Sequence, residues 1–256
     1  MINEKQKKIL SELVKQYKQL YKSEPDLKKY SEYAMTYHST AIEGSTLTEN
    51  EVIELLDFGK PAKKREFLHN IMVFDHHKAL LYTVEMSKRK EKITEKKIQN
   101  ISSLVMKNTG TQFNTAVGNF DASMGEYRLI GVHAGRQTFP DYRKVSVLMK
   151  NLIKYINSEQ EKQNIDVLQF AFEVHFRLVS IHPFADGNGR VARLLMNYIL
   201  IYYDLPMLIV FKSDRLKYID TLYNAQENGN MAPFYDFMLR QYIKFLKYEI
   251  KRFKNS

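Results

Sequence analysis

Apolar residues recur at helical spacing along most of this chain, and little interrupts them: its 256 residues include only 10 Gly and 6 Pro. Ile9, Leu10, Leu13, Val14, Tyr17, Leu20 and Tyr21 form one amphipathic stripe over residues 4–21. Pro25 interrupts that stripe, and the pattern predicts further helices over 26–42, 48–59, 64–87 and 94–107. The first of these closes at Gly44, a residue suited to a helix C-terminus. "TENE" at 48–51 reads as a capping box, and Thr94 as an N-cap. Residues 110–140 break the period. There "GEYRLIGVHAGRQTFPD" holds short apolar runs parted by Gly131, Gly135 and Pro140, which reads as one small hairpin. Helix then resumes over 142–157, 166–181, 191–203, 216–228 and 232–251. The expectation is a mainly α fold, a helical bundle with a small β-hairpin. A soft boundary near residue 90 would part an N-terminal helical region (1–90) from a core and C-terminal helices (91–256).

With 44% apolar residues the chain can bury a core. It has no cysteine, so disulfides, thiol chemistry and Cys-built zinc sites are excluded. "MINEKQKKILSELVKQ" is charged throughout, so no signal peptide is expected, and no apolar run reaches membrane-span length. A cytoplasmic location without membrane association is the expectation. The net charge of +10 is spread along the chain rather than clustered, as on solvated helix faces. A basic nucleic-acid-binding module is a competing but disfavoured reading. The lysine-rich "YIKFLKYEIKRFKNS" alternates with apolar residues as a docking helix would, and no appended DNA-binding domain is expected beyond it.

The chemistry concentrates at "IHPFADGNGRVAR", residues 181–193. Pro183 ends the apolar helix before it, which leaves His182 at the end of a buried helix. Gly187 and Gly189 flank Asn188 and let the backbone turn closely around a ligand. A Gly-rich turn opening a helix presents free N–H groups and the positive end of the helix dipole, an anion cradle. Arg190 and Arg193 lie three apart beside it and suit phosphate oxygens. Asp186 is a hard oxygen ligand for a Mg²⁺ that arrives with a polyphosphate. His182 can take a proton from a hydroxyl.

"HPFADGNGRVAR" resembles the signature of the Fic family, His-Pro-Phe-x-Asp/Glu-Gly-Asn-Gly-Arg-x-x-Arg, at every defining position. The resemblance extends over roughly residues 31–247. It implies the Fic fold and transfer of AMP from ATP to a Ser, Thr or Tyr hydroxyl on a target protein, with self-modification as a further possibility. By that resemblance His182 is the general base and Phe184 fixes the loop. Asp186 holds Mg²⁺ between the α- and β-phosphates. Gly187, Asn188 and Gly189 cradle the anion, and Arg190 and Arg193 bind the β- and γ-phosphates. The family's flap, which pairs with the target's backbone as an added strand, corresponds to residues 133–140. "DRLKYIDTLYNAQENGNMAPF" resembles the adenine-side segment, with Tyr218 stacking on the base and Gln226, often Asn in the family, bonding it.

"STAIEG", residues 39–44, resembles the family's inhibitory motif, Ser/Thr-x-x-x-Glu-Gly/Asn. Ser39 and Glu43 share one face of a helix (about 26–44), and Glu43 is expected to pair with Arg193 and exclude the γ-phosphate. Removal of AMP, with Glu43 positioning water, and other nucleotidyl or phosphoryl transfers are the alternatives within the family. His69, His76 and His77 lack a carboxylate at ligand spacing and are expected on a helix surface.

Overall fold

The computed structural model describes residues 4–254 except Arg136. Its helices are α1 (Glu4–Ser23), α2 (Pro25–Ile42), α3 (Glu49–Phe58), α4 (Phe67–Lys88), α5 (Glu95–Val105), α6 (Tyr142–Gln160), α7 (Val167–Ile181), α8 (Asn188–Tyr202), α9 (Arg215–Asn228) and α10 (Ala232–Lys254). The mainly helical reading holds, and local chemistry explains the ends. Thr48 and Glu51 form the reciprocal capping box at α3, a device whose loss typically costs about 1 kcal/mol. Thr94 accepts from Lys97 N at α5.

The region 110–140 is two hairpins rather than one. Strands β1 (Gln112–Thr115) and β2 (Gly118–Asp121) pair antiparallel, with Phe113 opposite Phe120. Strands β3 (His133–Ala134) and β4 (Gln137–Thr138) make a separate antiparallel pair, His133 opposite Thr138. A 3₁₀ turn at Ala122–Met124 closes the first hairpin. That turn ends at Gly125, whose backbone lies so close to Gln99 that a Cβ would overlap its carbonyl.

The core is built around α8. Val191, Ala192, Leu194, Leu195, Met196, Tyr198, Ile199 and Leu200 are all buried there. α4, α5 and α7 pack on this helix, and one apolar cluster runs from Tyr17 on α1 to Ile250 on α10. Such a position forces α8 to satisfy its polar groups internally. Asn197 Nδ2 donates to Leu208 O at 3.0 Å and its Oδ1 accepts from Leu208 N at 2.7 Å, tying down the segment after the helix. Ser87 Oγ donates to Tyr198 O at 2.7 Å and ties α4 to the same helix. A smaller cluster of Leu47, Val52, Leu55, Ala62 and Val73 seats α3 against α4. The N-terminal end of α8 therefore faces the α7–α8 loop, the end of α2 and the second hairpin, all anchored to one core. Among the described residues no helix is long and apolar enough to cross a membrane.

Candidate active site

The loop between α7 and α8 turns on two left-handed residues. His182 ends α7 at φ 52°, ψ 59°, and Gly187 caps α8 at φ 79°. Gly187 takes that conformation freely, whereas a histidine there carries strain of order 1 kcal/mol that its surroundings must offset. Pro183 ends α7 as the sequence predicts. α8, however, begins at Asn188, three residues before the apolar pattern does. Asn188 is buried and closes the loop on itself. Its Oδ1 accepts from Phe184 N and its Nδ2 donates to Phe184 O, both at 2.9 Å. Its side chain is thus committed to the loop, and only backbone N–H groups of the first turn remain for an anion. Phe184 is buried against Tyr127.

The His182 ring stacks on Phe139 at 3.7 Å between centroids, and its Nδ1 lies 3.2 Å from Val179 O. A carbonyl only accepts, so Nδ1 carries the hydrogen and the neutral ring leaves Nε2 with its lone pair. Burial pulls the imidazole down to about 4. The Val179 bond raises it, the Arg128 charge lowers it further, and Glu43 and Asp186 offset part of the fall. At neutral pH the ring is uncharged and able to accept a proton.

Arg193 is 1% exposed. Its Nε donates to Ser39 Oγ and its Nη2 to Ser39 O, each at 2.9 Å, and Nη2 also reaches Glu43 Oε1 at 2.8 Å. The expected pair between Glu43 and Arg193 is therefore formed, across 150 residues of sequence. α2 delivers it: Arg215 Nε donates to Ile42 O at 2.6 Å and fixes the helix end that carries Glu43. The carboxylate also lies against the first turn of α8, because a Cβ on Gly189 would overlap Glu43 Oε1. Burial alone would raise the Glu43 carboxyl. The charge and hydrogen bond of Arg193, with Arg190 and Arg215 behind, outweigh it and hold the group below the usual carboxylate range.

Arg190 differs from Arg193. It is buried, its Nη2 lies 3.2 Å from both Asp186 Oδ2 and Met106 Sδ, and its Nε and Nη1 have no partner among the described residues. Unpaired buried donors are costly, so this guanidinium retains capacity for an anion. Asp186 is 69% exposed and accepts from Gly187 N at 2.6 Å.

Tyr218 is buried, with its hydroxyl 2.7 Å from His175 Nε2 and 3.5 Å from Arg193 Nη1. Gln226 lies apart from this cluster and donates to Ser180 Oγ, two residues before His182, at 3.0 Å. His76 corrects the sequence reading, which placed it on a helix surface. It is 0% exposed, and its Nε2 meets Ser39 Oγ at 2.8 Å. His69 and His77 are part-buried on the same helix, His69 Nδ1 bonded to Thr46 and His77 edge-on to Tyr33. α4 is covered by α2, α5 and α8 and has no single wet face. The sequence reading also missed Arg128, fully buried beside His182.

Burial holds His175 at about 3, His38, His77 and His182 at about 4, and His76 well below its ordinary value. Unfolded histidines titrate near ~6.5. Between these values the unfolded chain binds more protons than the folded one, so stability is fully present above that pH and is lost as pH falls toward 4. The urea midpoint is expected to be lower at pH 5 than at pH 7.5. Equal midpoints would mean that these rings titrate normally in the fold.

Residues 92–200 match the model of the Fic/DOC family. Over 212 residues the chain is 30% identical to a protein adenylyltransferase Fic of Drosophila persimilis and 31% identical to that of Drosophila willistoni. The match covers 82% of this chain in both cases, and 39% and 40% of the respective relatives. The chain thus spans about two fifths of the length of these relatives. A Fic domain containing signaling protein from Bacteroides thetaiotaomicron shares the fold with a TM-score of 0.81 at 24% identity, over 97% of this chain and 98% of that one. Fic-1 from C. elegans does so with a TM-score of 0.79 at 24% identity, over 98% and 73%. By its sequence match, its fold and the loop between α7 and α8, the chain belongs to the Fic/DOC family.

Proposed function

We propose that this protein transfers AMP from ATP to a Ser, Thr or Tyr hydroxyl of a target protein, and that Glu43 restrains the reaction. The observation that carries this reading is the place of the Glu43 carboxylate. It lies at the first turn of α8, on the buried Arg193, where a helix N-terminus and a guanidinium together suit an anion. A phosphate suits the same donors, so a polyphosphate and Glu43 compete for one position. The adenylyltransferase relatives support the choice of AMP transfer for this chain.

In this reading His182 Nε2 takes the proton of the target hydroxyl as its oxygen attacks the α-phosphorus of ATP. The bond to the α-phosphorus forms as the bond to the pyrophosphate oxygen breaks, and pyrophosphate leaves. Arg190 and Arg193 hold the departing phosphates, and the first-turn N–H groups of α8 orient them. No covalent intermediate is needed, so catalysis rests on positioning and charge neutralisation. The exposed edge of the second hairpin holds the target as an added strand.

Among the described residues no cluster of three metal-ligating side chains occurs. Mg²⁺ brought by a polyphosphate needs only one or two protein carboxylates, and the exposed Asp186 beside the cradle fits that donor set. Bound there, the ion would neutralise phosphate charge. Asp186→Ala is expected to weaken metal-dependent transfer, and EDTA to stop it in the parental protein. Full transfer without divalent metal would remove the assignment.

The deciding experiment is incubation of the protein with candidate targets and α-labelled or γ-labelled ATP. Label kept on protein only from the α-phosphate supports nucleotidyl transfer. Label kept from the γ-phosphate means phosphoryl transfer instead, and overturns the reading.

A further inference from the structure

Arg128 is 0% exposed and has no ion-pair partner among the described residues. A buried guanidinium without a carboxylate is costly unless its donors are met. Here three backbone carbonyls meet them. Nε donates to His182 O at 2.7 Å, Nη1 to Ile130 O at 2.7 Å and Nη2 to Pro140 O at 2.6 Å. The backbone N of Arg128 also donates to Pro183 O at 3.0 Å. Burial lowers its affinity for the proton, with Asp141 offsetting part of that, but an arginine keeps its charge.

The three carbonyls belong to three separate features. Ile130 lies three residues before β3, and Pro140 lies two residues after β4. One guanidinium thus holds both feet of the second hairpin. Its third bond falls on the carbonyl of His182, the residue in the left-handed conformation. Phe139, between β4 and Pro140, stacks on the His182 ring itself. The hairpin therefore touches His182 twice, through its backbone carbonyl and through its imidazole face.

We propose that Arg128 is a positioning residue that joins the flap hairpin and His182 into one rigid unit, so that a target strand held at the hairpin edge is set in register with the base. The proposal rests on the reading of His182 as general base. It explains why the arginine has no anionic partner: a carboxylate would take the donors that the carbonyls need. It also requires a planar fork of donors, which lysine lacks. ATP binding uses Arg190, Arg193 and the first turn of α8, none of which Arg128 touches, so the nucleotide side is independent of it.

The test uses Arg128→Lys and Arg128→Ala in the full chain, each also carrying Glu43→Gly to give a measurable rate. Three quantities are read: kcat, the Kd for Mg-ATP, and amide hydrogen exchange across residues 130–140. The expected result for both variants is a kcat lower by about 10²-fold, the loss typical of a misplaced reacting group. Mg-ATP affinity stays within about twofold, since a group remote from the ligand leaves binding free energy nearly unchanged, and exchange quickens across residues 130–140. Guanidinium ion added to Arg128→Ala is expected to restore part of kcat. If Arg128→Ala does not fold, Arg128→Lys decides alone, because it keeps the charge and most of the volume. Parental kcat in Arg128→Lys overturns the proposal, as does an equal loss of kcat and ATP affinity, the mark of general unfolding. Parental exchange across 130–140 also overturns it. Were His182→Ala to keep its transfer in the same assay, the base reading would fail instead, and the two failures are told apart.

Discussion

His182→Ala is expected to reduce transfer by ~10²–10⁴-fold, the usual range for a lost general base, while Mg-ATP still binds. Val179 O can only accept, so it fixes the hydrogen on Nδ1 and leaves Nε2 as the acceptor. Burial keeps the ring uncharged down to about pH 4. The acid limb of kcat/KM in the free enzyme is therefore expected well below ~6.5, the ordinary imidazole value. Phe139 and Arg128 hold the ring and backbone, so Nε2 is placed before any target arrives. Alanine removes the acceptor and the stacking, and it also tolerates the left-handed conformation poorly. His182→Asn is the better control for folding, because asparagine tolerates that conformation and offers no comparable base. The measurement is transfer of α-label in the Glu43→Gly background beside calorimetric Mg-ATP binding. Near-parental transfer in both variants, with ATP still bound, would remove His182 from the role of base.

What the sequence made legible and what it hid follow from the range of the interactions. "HPFADGNGRVAR" is readable because its parts act locally: a proline stop, glycines where the backbone turns, and arginines on the next helix. The capping box at Thr48 and the N-cap at Thr94 are local in the same way, and both are present. The apolar pattern starts α8 three residues late, at Val191, because Gly187 and Asn188 open the helix without an apolar side chain. The hairpin read from residues 125–141 is β3–β4; β1–β2 escaped because "QFNT" and "GNFD" carry one aromatic residue each and show no apolar alternation. His76 was assigned to a surface because α4 is packed on several sides and so lacks a contrasting polar face. Arg128 could not be found this way. A lone arginine after Tyr127 gives no sign that its partners are carbonyls 2, 12 and 54 residues away. The one available signal was its setting, one of two arginines in the Gly-parted, partly apolar stretch 125–141, where Glu126 and Asp141 are the only acids.

Glu43→Gly is expected to raise transfer, and self-modification with it, well above the parental level. Arg193 has four contacts in this state: Ser39 Oγ, Ser39 O, Glu43 Oε1 and, at 3.5 Å, the Tyr218 hydroxyl. Glu43 is the one anion among them, and it lies against the turn that would hold phosphate. Removing one member of a buried pair often costs ~3–5 kcal/mol. The Glu43 side chain is 31% exposed, so solvent screening reduces that figure here. Arg193 also keeps its bonds to Ser39, and Ser39 its contact with His76. The variant should therefore fold with a lower unfolding midpoint, and Mg-ATP should raise that midpoint more than in the parental protein, because binding to the folded state stabilises it by mass action. Glu43→Gln separates charge from bulk: it removes the anion and keeps a side chain against Gly189, so its gain in transfer should fall below that of glycine. Arg193→Ala should be inactive even with Glu43→Gly, since restraint and phosphate share the same guanidinium. Two results would sink this account: unchanged transfer in Glu43→Gly across several targets while Mg-ATP still binds, or full transfer in the Arg193→Ala, Glu43→Gly double variant.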